Sequence, residues 1–164
     1  MNKRDQELEF EKLVKEHELL VLKVCRVYAN TLHDRQDLYQ EIMIQLWRSY
    51  PSFQNQSKFS TWLYKVSFYT AIAGIRKKRD FMHLTEPSNL PADLTVEDDH
   101  FKEDQLAELY NAIEKLNEIE KAIVMLYLEG KDYQEMEEIL GINQGNLRVK
   151  MNRIKDKLKQ ITKK

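Results

Sequence analysis

Residues 132–158 read DYQEMEEILGINQGNLRVKMNRIKDKL, and the fold is decided there. Asp132 followed three residues later by Glu135 is a helix-start pattern, because each side chain can take an N–H that the first turn leaves unpaired. It predicts a helix Tyr133–Leu140, a tight turn Gly141-Ile142-Asn143, and a second helix to about Ile161. Two helices joined by a three- or four-residue turn containing glycine make a helix-turn-helix. At about 100° per residue, Leu147, Met151, Ile154 and Leu158 fall on one narrow face, the core side. The opposite face carries Gly145, Asn146, Val149, Asn152 and Arg153, with Arg148 at its edge. Asn and Arg make paired hydrogen bonds to adenine and guanine in the major groove, and an exposed valine meets a thymine methyl. The N-terminal half of such a helix is the part that reaches base edges.

The charge pattern extends this reading outward. Between Ile142 and Lys164 stand eight basic residues and one acid, Asp156. A second basic segment, Lys58 to Arg79, holds Lys58, Lys65, Arg76, Lys77, Lys78 and Arg79 with no acid. Phe59, Trp62, Tyr64, Phe68 and Tyr69 are interleaved with them. Between Thr85 and Glu108 the sign reverses, with eight acids against Lys102. A formal net charge of −1 conceals all of this. Clustered cations attract phosphate backbones, and exposed bases stack on aromatic rings. The pattern therefore points to a chain that grips nucleic acid at two places.

The remaining sequence predicts an all-α protein of two small helical domains. Only three prolines and four glycines occur in 164 residues, a balance that favours helix. The domains are expected over 1–80 and 105–164, joined by a flexible acidic linker over 81–104 that contains Pro87 and Pro91. Periodicity predicts one helix from about Gln6 to Asn30, a second capped by Asp34 and ended by Pro51, and a third from about Ser60 to Arg79. Beyond the linker, Leu106, Leu109, Ile113 and Leu116 resume the helical spacing. Asn117 and Glu120 form a capping-box pattern for a helix ending at Leu128, with Gly130 as its left-handed stop. In the second helix one half of the wheel is apolar and the other holds Asp37, Gln40, Glu41, Gln45 and Arg48, with Ile44 alone among them. An apolar residue ringed by carboxylates and amides has the look of a protein contact.

Other function classes find little support. The lone Cys25 forms no internal disulfide and suits a reducing compartment. No apolar run approaches the ~20 residues of a membrane span, so a soluble, cytoplasmic protein without membrane insertion is expected. His17, His33, His83 and His100 are scattered. Cys25, His17 and His33 at eight-residue intervals drift around a helix by about 80° per step, which predicts no metal site. No glycine-rich phosphate loop is present, and neither a cofactor nor an enzyme activity is expected.

Three segments, in this order and spacing, carry a family resemblance: DLYQEIMIQLW at 37–47, FSTWLY at 59–64 and GINQGNLRVKMNRIKDKL at 141–158. With the basic cluster and the acidic linker, the chain closely resembles the extracytoplasmic-function group of sigma-70 RNA polymerase sigma factors over nearly its whole length. The resemblance implies a dissociable subunit that brings core polymerase to a promoter and helps melt it. It implies polymerase contacts at Asp37, Gln40, Glu41, Ile44, Trp47 and Arg48. For the −10 element it implies Gln54, Asn55, Ser57, Lys58, Phe59, Ser60, Trp62, Lys65, Tyr69, Arg76, Lys77, Lys78 and Arg79. Trp62, however, is spaced with Val66 and Tyr69 as a core residue is. For the −35 element it implies Gln144, Gly145, Asn146, Arg148, Val149, Asn152 and Arg153. RNA polymerase core enzyme, promoter DNA and an anti-sigma factor are the implied partners.

The chain departs from the family pattern in places. Tyr69 stands where Asn is common, Ala73 where Asp is, Asn117 where Pro is, and Asn146 where Thr or Ser is. Glu137 occupies a position commonly Ala, so its carboxylate must reach solvent or a cation. The competing reading is a stand-alone helix-turn-helix regulator that binds its promoter without polymerase.

Overall fold

The computed structural model describes residues 2–84 and 104–162, with side chains described from 2 to 79 and from 107 to 161. These fall into two compact units, one on each side of 85–103. Among the described residues there is no strand.

Unit 1 contains α1 (Lys3–Glu16), α2 (Glu18–Tyr28), α3 (Leu32–Ser49), a 3-10 turn (Tyr50–Ser52) and α4 (Phe59–Leu84). Helices α2, α3 and α4 pack on one another, with α1 against α2. Val21, Val24 and Cys25 of α2, Ile42 and Leu46 of α3, and Leu63, Tyr64 and Phe68 of α4 fill the core. The spacings are helical, so each helix turns one apolar stripe inward.

Three expectations need correction here. The single helix from Gln6 to Asn30 is two helices with a break at His17, whose φ of −113° and ψ of 14° leave the helical region. The ring reaches back through Nδ1 to the Leu13 carbonyl oxygen at 2.8 Å, competing with the backbone for that acceptor. Asp34 is not the cap of α3. Thr31 is, with Oγ1 accepting from the Asp34 N–H at 3.0 Å, and α3 starts three residues earlier than that cap would allow, at Leu32. Finally, α4 runs on to Leu84, so residues 81–84 continue a helix instead of opening a linker. No proline or glycine interrupts that stretch before Pro87. At its other end Asp104 already begins the next helix, and the rest of the expected linker, 85–103, lies outside the described residues.

Unit 2 contains α5 (Asp104–Glu114), α6 (Glu118–Leu128), α7 (Tyr133–Leu140) and α8 (Gln144–Thr162). Helix α8 is the hub, packing on α5, α6 and α7. Leu147, Met151 and Ile154 are buried on its inner face, and Leu158 is half-buried. Ile113, Ile123, Leu126, Met136 and Ile139 are among the residues that the other three helices bury. The capping box at Asn117 and Glu120 forms in both directions, and the Asp132 side chain accepts the Glu135 N–H at 2.8 Å. Gly130 at φ 79° and Gly141 at φ 71° take the left-handed conformation that ends α6 and α7. The sharp entry into α8 is fixed by Asn143, whose Oδ1 accepts the Asn146 N–H at 2.8 Å. Glu137 is half-buried.

Candidate nucleic-acid and polymerase interfaces

Three surfaces collect the residues singled out by sequence. The first is the outer face of α3. Asp37, Gln40, Glu41, Ile44, Trp47 and Arg48 are all exposed, and Ile44 is 44% exposed. Gln45 donates to Glu41 at 3.1 Å, and Asp37 lies 3.4 Å from His33 Nε2, so parts of this polar ring are tied one turn apart. Trp47 is less free than its neighbours: its ring packs against Phe10 of α1 with centroids 5.1 Å apart.

The second surface begins at the loop between the 3-10 turn and α4. Gln54 and Asn55 are exposed and hold φ values of 49° and 54°. Two consecutive non-glycine residues in the left-handed region carry strain, of which asparagine tolerates its share better than glutamine does. The loop leads to exposed Lys58 and to half-buried Ser57 and Ser60. Phe59 and Trp62 do not stand free. Phe53, Phe59 and Trp62 form a ring triangle with centroids 5.0 to 5.8 Å apart, and His17 closes on Phe59 at 5.1 Å. Half-buried Trp62 thus belongs to the loop's foundation through these ring contacts, whereas Tyr69, grouped with it by spacing, is exposed.

Along α4, Tyr69 is 77% exposed, the highest value of any large apolar side chain described. Lys65, Tyr69, Ala73 and Arg76 fall within an arc of about 80° on the wheel and share an outward stripe. Lys77 flanks it. Lys78 does not join it: at nine residues from Tyr69 it points to the far side, and its Nζ lies 3.7 Å from Asp34 of α3. Arg79 is exposed and has an interaction of its own.

The third surface is α8. Gly145, Asn146, Arg148, Val149, Asn152 and Arg153 are exposed, Val149 to 48%, and Gln144 is half-buried. The face is divided between two neighbours. Arg148 lies over the Tyr133 ring of α7, with its guanidinium carbon 5.0 Å from the centroid. Arg153 shares a depression with Lys150, Lys157, Asn117 and Glu120 at the start of α6. There Lys157 Nζ meets Glu120 Oε2 at 2.6 Å. Burial raises the Glu120 pKa, but the Lys157 hydrogen bond, the Asn117 N–H and the charges of Lys157 and Lys150 outweigh it. The carboxyl is held below its ordinary value.

Tyr133, Asn143 and Glu120 were not among the expected site residues. Asn143 two places before the glycine of QGN carried a readable cap signal; the Tyr133 contact spans fifteen residues and has no local signature. Among the described residues no group of three His, Cys, Asp or Glu could hold a metal ion. Cys25 is buried and its thiol is pushed up to about 12, chiefly by burial. Among the described residues no helix is long and apolar enough to cross a membrane.

Comparison with known proteins bears on these surfaces together. Residues 13–81 match the family model of sigma-70 region 2, and residues 106–158 match that of sigma-70 region 4. The ECF RNA polymerase sigma factor SigW of Bacillus subtilis is 28% identical over 153 residues, covering 85% of this chain and 81% of SigW. The ECF RNA polymerase sigma factor SigE of Mycolicibacterium smegmatis is 25% identical over 155 residues; these cover 92% of this chain but only 60% of that protein. In the solved structures, sigma factor RpoE of Bartonella quintana, crystallised with the anti-sigma factor NepR, gives a TM-score of 0.73 at 19% identity. That likeness, over 91% of this chain and 96% of RpoE, is one of fold.

Proposed function

Because the chain belongs to the extracytoplasmic-function group of the sigma-70 family, we propose that its two units divide promoter recognition between them. The protein is a sigma factor and gives RNA polymerase its promoter specificity at initiation. Unit 1 holds core polymerase through Ile44, with Asp37, Gln40, Glu41, Trp47 and Arg48 around it. The loop amides of Gln54 and Asn55, with Ser57, Lys58 and Ser60, take bases and phosphates of the opened −10 element. The stripe of Lys65, Tyr69 and Arg76, with Lys77 beside it, holds the adjoining strand, and ring stacking on Tyr69 offsets unstacking that costs a few kcal/mol. Phe59 and Trp62 support the loop from beneath. Unit 2 lays the first half of α8 in the major groove of the −35 element. The acidic segment between the two helical units, the 19 residues 85–103, can extend to about 65 Å and so spans two elements on one promoter. The chain works in the cytoplasm, where the chromosome is, and performs no chemistry itself. An anti-sigma factor holds it inactive, as NepR accompanies the Bartonella quintana relative.

The observation that carries this reading is the pairing of the two family regions, in order, on the two units. A stand-alone regulator would account for unit 2 and give unit 1 no task. The test is reconstitution with core polymerase. A holoenzyme should form, and specific promoter binding should appear only after core is added. Failure to form holoenzyme refutes the reading, and tight specific binding by the free chain favours the regulator.

A further inference from the structure

A cation on the edge of a recognition helix has a problem of aim. Arg148 lies one turn into α8, at the border of the reading face and on the side of α7. An exposed arginine there samples many rotamers, and fixing it on a base costs that freedom. The structure supplies a device. The Tyr133 ring, half-buried at the first position of α7, lies under the guanidinium with its centroid 5.0 Å from Cζ. The ring itself is well held. Asp132 caps the helix that carries it, and Lys131 ties to Glu135 at 3.4 Å across the same turn. These contacts also engage the carboxylates of Asp132, the cap, and of Glu135 in α7's first turn. A carboxylate partner would occupy the N–H fork of Arg148. An aromatic ring instead uses the π face of the guanidinium and leaves the in-plane N–H groups open. Those N–H groups are what guanine O6 and N7 require.

We propose that Tyr133 is a positioning residue for −35 recognition: it stacks beneath Arg148 and pre-aims its N–H fork at a base edge. The inference rests on the reading of α8 as the −35 element's reader, and it assigns specificity to a side chain that touches no base. The ring does this work and the hydroxyl does not. Tyr133 therefore affects discrimination at the base pair read by Arg148, without weakening α8's hold on every promoter alike.

The experiment uses reconstituted holoenzyme and a promoter set carrying each of the four base pairs at every −35 position, with transcription initiation as the readout. Arg148→Ala should lose discrimination at one or two adjacent positions. Tyr133→Leu should lose about two- to five-fold at those same positions, the worth of an exposed cation–π contact. Tyr133→Phe should keep the wild-type pattern, and adding Tyr133→Leu to Arg148→Ala should change nothing further. A Tyr133→Leu loss that is uniform across all promoters, or a Tyr133→Phe loss as large as that of Leu, overturns the positioning role. So does additivity of the two substitutions. If Arg148→Ala itself shifts no −35 position, the reading of α8 falls as well. If Arg148→Ala shifts one and Tyr133→Leu does not, only the positioning inference fails.

Discussion

Glu120 hangs α8 on α6, and its removal is the sharpest test of how unit 2 presents its recognition helix. The side chain is 12% exposed and makes two different bonds. Its Oε1 accepts the Asn117 N–H at 3.0 Å, closing the capping box, and its Oε2 takes Lys157 at 2.6 Å. Loss of half a capping box costs about 1 kcal/mol. A fully buried pair broken at one end would cost about 3–5 kcal/mol. Lys157 is half in water, so the pair is discounted toward the exposed-pair range of about 1 kcal/mol. Glu120→Ala should therefore destabilise unit 2 by about 2–3 kcal/mol once the lost packing is included. Amide exchange in α6 and α8, which reads this unit within the whole chain, should speed by about 30- to 160-fold. Glu120→Ala and Lys157→Ala should be non-additive by about 1 kcal/mol. The pH dependence has a definite sign. The folded carboxyl lies below its unfolded value, so its contribution is full above the unfolded value and disappears as pH falls through the folded one. Acidification should thus erase the difference between wild type and Glu120→Gln. Exchange that changes by less than about threefold in Glu120→Ala at neutral pH would show that α8 is supported elsewhere.

Three other perturbations probe unit 1. Ile44→Glu alters a side chain 44% exposed; it should leave stability within about 0.5 kcal/mol and weaken core-polymerase binding at least about tenfold, and unchanged affinity in a binding titration would move the docking face elsewhere. Ser67 is fully buried and its Oγ has no hydrogen-bond partner. Ser67→Ala should raise unfolding stability by about 1 kcal/mol, and a fall in melting temperature would mean that the hydroxyl is satisfied after all. The Cys25 thiol, 2% exposed and pushed up to about 12, should react with a thiol reagent at pH 8 about a thousandfold more slowly in the native chain than in urea, and equal rates would contradict the packing of α2.

The legible parts of this fold are those fixed by local rules. Asn117–Glu120, Asp132, Gly130 and Gly141 announce helix ends because capping and left-handed backbone depend on nearby residues alone. The buried face of α8 follows from spacing. The break at His17 escaped the same logic, since Phe10, Val14 and Val21 keep helical phase across it and a periodicity count registers no interruption. Thr31 and Asp34 both suit a cap, and only the backbone path decides for Thr31. In the candidate sites, exposure of Ile44 and Val149 followed from the wheel. The diversion of Lys78 to Asp34 and the placing of the Arg148 guanidinium over the Tyr133 ring are meetings between separate helices, and no short window of sequence contains both partners.

The strained loop shows why the two candidate faces of unit 1 are physically connected. Left-handed backbone costs roughly 1–2 kcal/mol per ordinary residue, and Gln54 and Asn55 take it in succession. Such a conformation persists only where its surroundings over-determine it. Here the loop is clamped at both ends by rings: Phe53 before it and Phe59 after it meet each other and Trp62. Tyr50 stacks on Phe53 and leans on Trp62, and Phe10 joins Tyr50 to Trp47. Aromatic pairs contribute about 0.5–1.5 kcal/mol each beyond their buried area, so this set outweighs the strain of two residues. The ring train begins at Trp47, on the outer face of α3, and ends under the exposed amides of the loop. A sequence that spent these aromatics on base stacking would have to hold the loop by other means. Placing Phe59 and Trp62 beneath it leaves Tyr69 as the exposed ring on the cationic stripe.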